Sequence, residues 1–265
     1  MTAFRLPSSL AAMGLVAAAS VLSLSASSHP PGQPSRDWRL ARLPRVLLWA
    51  WERPVRFPAL PSTVGVAYLA GTLVLAHDDV IERPRLQPLV VSPSTRMAAV
   101  VRIEVDAKRR PALTEAQVHE AAERILTLAS RPRVIALQID FDATSRERPF
   151  YGALLAQLRR LMPADWPLSI TALASWCLGD PWIRDVPVDE AIPMLFRMGA
   201  DGGAVRSRLD AGQDFSLAVC RASLGVSLDE PAGRLPSDRR RYVFNPKAWN
   251  ERAVARALEL AAPVR

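Results

Sequence analysis

Cysteine is nearly absent from this 265-residue chain, with only Cys177 and Cys220, and histidine is scarce, with only His29, His77 and His119. A zinc centre built from Cys and His is not expected from so few ligands. A Ser/His/acid triad would have to use His77, and the G-x-S-x-G elbow that would carry its serine is missing. Lysine is confined to Lys108 and Lys247, so there is no Walker lysine, and Gly202-Gly203 lacks dinucleotide-fingerprint spacing and reads as a plain loop. No cofactor and no metal is expected, although His77-Asp78-Asp79 could hold a divalent ion weakly. Aromatic residues are only 6%, and no basic run exceeds the triplet Arg239-Arg240-Arg241. The net charge of +8 therefore does not point to a nucleic-acid partner.

What is present is an ordinary globular composition, 49% apolar and 23% charged, in a length that admits one large domain or two small ones. Arg5 is the only charge before Arg36 and precedes the apolar and small-residue run Leu10 to Ala26. That is the layout of a secretory signal, read here as residues 1–26. The rival reading is an uncleaved anchor, for which this serine-bearing run is at the short limit of a bilayer span. No cysteine follows the run, so a lipoprotein anchor is not expected. Residues 27–44 begin Ser/Pro-rich and read as a tether, and residues 45–265 as one domain without internal repeat. The expected location is periplasmic or secreted, with no membrane association after signal cleavage. Outside the inner membrane a basic chain meets anionic envelope polymers.

Eight extended apolar segments follow: Arg45–Glu52, Val64–Leu75, Met97–Asp106, Arg133–Asp142, Leu168–Trp176, Ile192–Met198, Leu217–Val226 and Arg241–Asn245. Three helices are legible. Thr114 to Ser130 opens with a Thr114/Gln117 capping box, a second starts near Pro149, and a third spans Asn250 to Leu260. Eight strands and three helices fit a barrel with several crossovers reduced to loops, or an open α/β sheet.

Strand faces carry the functional reading. In Arg133–Asp142, alternation puts Ile135, Leu137, Ile139 and Phe141 on one face and Ala136, Gln138, Asp140 and Asp142 on the other. The next clear case sets Val101, Ile103 and Val105 against Arg102, Glu104 and Asp106, and in the first strand Leu48, Ala50 and Glu52 share a face. A strand that lines a barrel would place small or polar residues inward and acids at its carboxyl end, where barrel enzymes build their sites. The bland reading makes Asp142 a helix cap and leaves Asp106 and Glu52 in solvated loops. Candidate catalytic carboxyls are Asp142, Asp140, Glu104 and Glu52. Candidate substrate contacts are Tyr68, Arg102, Trp176, Trp182, Arg197 and Asn245. Asp189-Glu190 and Asp229-Glu230 rank lower, lying outside any clear alternating strand.

The segments RVLLWAWERP, ALQIDFDATSRERPFYGALLAQLR, LSITALASWCLGD, PVDEAIPMLFRMG, CRASLGVSLDEP and RRRYVFNP resemble the bacterial "domain of unknown function 3142" family over about Arg45 to Asn250. The resemblance implies a secreted protein with a barrel similar to those of glycoside hydrolases. The strand end LQIDFDAT also resembles the chitinase-type signature, whose four acid positions fall here on Leu137, Asp140, Asp142 and Thr144. Two acids match, and Thr144 stands where that signature has its proton-donating glutamate. The reading is a single α/β domain, a (β/α)8-type TIM-like barrel with some crossover helices reduced to loops. It would act through paired carboxylates on an envelope or extracellular glycan, or else be a catalytically silent glycan-binding or envelope-organising barrel. Cys177 and Cys220 are either a disulfide or two buried thiols.

Overall fold

The computed structural model describes residues 1–2, 34–231 and 233–261. The secretory-signal reading, beyond its first two residues, and the Ser/Pro-rich start of the tether lie outside the described residues. Eight parallel strands close into a barrel in the order β1 (Val46–Ala50), β3 (Val64–Ala76), β6 (Met97–Val105), β7 (Val134–Asp140), β8 (Leu168–Leu173), β9 (Glu190–Met194), β10 (Ser223–Ser227) and β11 (Arg240–Phe244), with β11 pairing back onto β1. This is a TIM-like barrel, and the open-sheet alternative falls. A ninth strand, β4 (Asp79–Pro84), folds back antiparallel on the upper half of β3 through the turn at His77 and Asp78. His77-Asp78-Asp79 is thus a hairpin, and no metal-binding cluster occurs among the described residues. A small pair, β2 (Val55–Arg56) with β5 (Leu89–Val90), lies outside the barrel sheet.

Five α-helices occur among the described residues: α1 (Arg36–Ala41), α2 (Glu115–Ala129), α3 (Arg148–Leu161), α4 (Gly202–Asp210) and α5 (Glu251–Ala261). Only the β6–β7, β7–β8 and β9–β10 crossovers are α-helical. The β8–β9 crossover is reduced to 3-10 turns. The capping box forms as the sequence implies. Thr114 Oγ1 accepts from the Gln117 N–H at 3.2 Å, and the Gln117 amide reaches on to the carbonyls of His77 and Asp79, tying α2 to the β3–β4 hairpin.

Two expectations are corrected here. Gly202-Gly203 is the first turn of α4, not a loop. Residues 34–44 are not tether. Ser35 caps α1 by accepting from the Trp38 N–H, and Leu40 and Leu43 enter the barrel's interior cluster. Arg36 and Arg39 donate to Asp189, on its carbonyl and its carboxylate respectively, while Arg159 pairs with the same carboxylate at 2.5 Å. Asp189 therefore locks the helix that covers the amino end of the barrel.

Side chains divide cleanly between two cores. The interior holds Leu47, Trp49, Ala67, Ala98, Val100, Ala136, Ile192 and Tyr242. The layer under the helices holds Leu48, Val66, Val101, Ile103, Leu137 and Ile139. Large aromatics fill the interior against small neighbours. At Gly225 an added Cβ would stand 3.0 Å from the Trp49 ring, so glycine is what makes room for that indole. Deeper still lies a polar knot around Glu190, which is fully buried: its Oε1 accepts from Ser169 Oγ at 3.1 Å and Tyr242 OH at 2.7 Å, and its Oε2 from Arg240 at 2.8 Å. Both acids of the Asp189-Glu190 pair are structural.

Cys177 and Cys220 are bonded, with Cα atoms 5.9 Å apart. The bond joins the 3-10 turn after β8 to the 3-10 turn before β10. It falls where the sequence reading had strand, since residues 217–222 turn before β10 starts at Ser223.

Candidate functional site

The carboxyl ends of the strands surround a cavity of about 510 Å³. Its floor is aromatic. Phe196 and Phe244 stack with ring centres 5.4 Å apart, Trp51 meets Phe244 edge-on at 6.4 Å, and Trp49 meets Phe196 at 6.2 Å. Met194, Met198, Leu173 and Val205 extend the apolar wall.

Asp140 and Asp142 enter from β7 and the residues after it. Asp140 is the last strand residue, and its parity with Ala136 and Gln138 turns it inward. It is buried, accepts from Thr171 Oγ1 of β8 at 2.6 Å, and faces Arg102 of β6 at 3.5 Å. Arg102 also meets Glu104 at 3.0 Å, so one guanidinium bridges two carboxylates. A shallower recess shared by Arg102, Glu104, Asp140 and Asp142 continues the cavity toward Thr144 and Glu147. Burial pushes the Asp140 carboxyl above the usual range. Thr171 and Arg102 oppose the shift, and the charges of Asp142 and Glu104 reinforce it.

Asp142 is exposed and caps no helix, because α3 begins at Arg148 and its cap position is Glu147. Glu147 is buried, and its carboxylate accepts from both the backbone N–H and the hydroxyl of Thr144. The position that breaks the chitinase-type pattern is therefore hydrogen-bonded to the next acid along the chain.

The expected convergence holds for Asp140, Asp142, Glu104 and Arg102 and fails for Glu52. Glu52 Oε1 instead accepts from the N–H groups of Leu86 and Gln87 in the loop after β4. The reason lies in β1, whose inward residues are Leu47 and Trp49 rather than Leu48 and Ala50: its run VLLWA is apolar on both faces, so alternation carries no polarity signal. Asp106 also stays out. It turns to the N–H groups of Lys108 and Arg109 and to the Arg109 guanidinium, which lower its pKa to about 2.

Among the expected binding residues, Arg197 lines the cavity. Tyr68 does not, because it faces the outer core beside Ala50 in register and its phenol is raised by burial. Trp176 and Trp182 pack against each other at 4.9 Å in that outer core, with Tyr151 at 5.7 Å from Trp182. Asn245 is a turn residue that accepts from the Lys247 N–H and donates to the Ala248 carbonyl. In their place the cavity uses Trp49, Trp51, Arg53, Thr171, Phe196 and Phe244. Ser169 and Thr171, flanking Ile170, are an alternation that would have marked Thr171 as inward. Tyr242 and Phe244 do the same for β11.

The raised Asp140 carboxyl has a stability consequence. A carboxyl raised in the folded state favours the fold most below the unfolded-state value, near 3.9, and that contribution is lost as pH rises through the folded value. Asp140→Asn, which keeps an acceptor for Thr171, should raise the melting temperature relative to wild type at pH 7. The gain should shrink as pH falls toward the unfolded-state value, below which Asp140 is protonated in both states. Asp106 shifts the other way but is common to both proteins and cancels. A gain that stayed constant from pH 4 to 7 would contradict the raised value.

The site and fold define a TIM-like barrel with an acid-bearing, aromatic-floored cleft at its carboxyl end. Comparison with family models, with curated proteins and with solved structures yields no match in any of the three.

Proposed function

We propose that this protein is an exported glycoside-hydrolase-like barrel that acts on an envelope or extracellular glycan, as the resemblance to the domain of unknown function 3142 family implies. The observation that carries the reading is the placement of Asp140 and Asp142 together at the carboxyl end of β7, facing a cavity floored by Trp51, Phe196 and Phe244. Flat aromatic rings present apolar faces to sugar rings, and two carboxyls of different protonation are what glycosidic cleavage requires. Asp140, held protonated more readily by burial, suits the acid that protonates the leaving oxygen. Asp142, exposed at the strand end, is open to the sugar or to a water, as the nucleophile or base must be. The Cys177–Cys220 disulfide supports a periplasmic or secreted location, as does the signal-like start.

The second reading, a glycan-binding barrel without turnover, is favoured by Thr144, since no acid occupies the position of the signature's proton donor. Purified mature protein on cell-wall and exopolysaccharide panels, with binding and product release scored separately, decides between them. On the enzymatic reading Asp142→Asn lowers turnover by about a hundredfold or more while binding survives, since losing one acid/base group commonly costs that much. Wild-type turnover in Asp142→Asn removes this residue from the chemistry. Binding without any product supports the silent barrel, and no binding to any polysaccharide overturns both readings.

A further inference from the structure

We infer that the cleft selects an acidic saccharide, with Arg197 as the residue that recognises its carboxylate or sulfate. This rests on the glycan reading above and adds the substrate class.

The charges of the cleft are segregated around the barrel. Asp140, Glu104 and Asp142 belong to the β6–β7 arc, where Arg102 already pairs with two of them. Arg53 follows β1 and Arg197 follows β9. These strands flank the β10–β11 pair, so the two arginines lie on the arc running from β9 to β1. Among the described residues the Arg197 guanidinium makes no hydrogen bond, the Arg53 guanidinium donates only to the Pro246 carbonyl at 2.9 Å, and neither forms an ion pair. Asp201, exposed on the turn after β9, also lines the cavity and pairs with neither.

Arg197 is held in place from behind. Its backbone sits at φ 51°, a left-handed conformation that is uncommon for a side-chain-bearing residue. The Glu230 carboxylate fixes it there by accepting the Arg197 N–H at 3.0 Å and 3.3 Å, while Arg206 holds Glu230 at 3.2 Å. The guanidinium comes to rest 5.2 Å over the Phe244 ring, at the stacked pair that floors the cavity. A strained backbone at a cleft, braced by a carboxylate that spends itself on the main chain, leaves a planar cation beside a sugar-sized aromatic platform. A free guanidinium there has the fork geometry to take an oxyanion in two parallel hydrogen bonds. Glu230 acts as a positioning residue.

The test is calorimetric titration of the mature protein with oligosaccharides containing galacturonate, glucuronate or mannuronate, and with the same oligosaccharides after carboxyl reduction. Wild type should bind the acidic form at least about tenfold more tightly, the share expected of one charge-assisted pair, and added salt should erode that preference. Arg197→Gln should abolish the preference, so that acidic and reduced forms bind alike. Glu230→Ala should weaken it as well, whereas Glu230→Gln, which keeps an acceptor for the Arg197 N–H, should restore it. Equal affinity for acidic and reduced forms in wild type overturns the selectivity, and a preference that survives Arg197→Gln overturns the assignment to Arg197; either outcome leaves the glycan reading standing. Failure to bind any saccharide, acidic or neutral, overturns the glycan reading and this inference together.

Discussion

Replacing Glu190 by alanine should destabilise the barrel by about 3 to 5 kcal/mol, the cost of removing one partner from a buried ion pair. Glu190 is fully buried, and three side chains donate to its carboxylate. Arg240, itself nearly buried, would keep bonds to the Pro44 and Leu40 carbonyls but lose its carboxylate. Tyr242 and Ser169, both buried, would lose their shared charged acceptor. Glu190→Gln keeps the shape and an oxygen for Tyr242 and should cost less, since only the charge is missing. Urea unfolding of the three proteins gives the comparison. At about 2 to 4 °C per kcal/mol for a domain of this size, the alanine variant should melt roughly 10 °C lower. A Glu190→Ala midpoint equal to wild type would mean that the polar knot adds nothing to the fold.

The disulfide is the second large term. Cys177 and Cys220 are 43 residues apart, and closing a loop of that length removes about 4 kcal/mol of chain entropy from the unfolded state in the loop-closure model. Cys177→Ser with Cys220→Ser should therefore lower unfolding stability by about that much. The bond spans the β8–β9 crossover, β9 and α4, so its loss should loosen the arc that carries Phe196 and Arg197 before it loosens β6 and β7. Hydrogen exchange in the double variant should rise first across residues 178–219. Unchanged stability together with two titratable thiols in unreduced wild-type protein would refute the bond.

How legible all this was depends on where polarity alternates. In β7 every second residue from Ala136 to Asp140 is small or polar, and the strand, its inward face and its terminal acids were all readable. In β1, VLLWA is apolar throughout, so alternation does not tell its inward face from its outward one, and the expectation for Glu52 fails with it. The rule that small residues point inward failed there because this interior is packed by pairing Trp49 with Gly225, a relation between strands remote in sequence. Trp176 and Trp182 misled for a related reason: an aromatic near a strand end can turn either way, and the disulfide at Cys177 anchors its turn in the outer core. Helix α1 was hidden because its partner, Asp189, lies about 150 residues away and its own sequence is too short and charged to show periodicity. Arg197 could be nominated from sequence as a cleft residue. Its strained backbone and its brace by Glu230 could not.

The base of the barrel is shut. With α1 strapped across it by Asp189, and Leu40, Leu43, Leu47 and Tyr242 filling the lumen above, the passage is a cul-de-sac rather than a tunnel. A polymer cannot be fed through such a vessel, so whatever it accommodates must enter and leave by the same mouth.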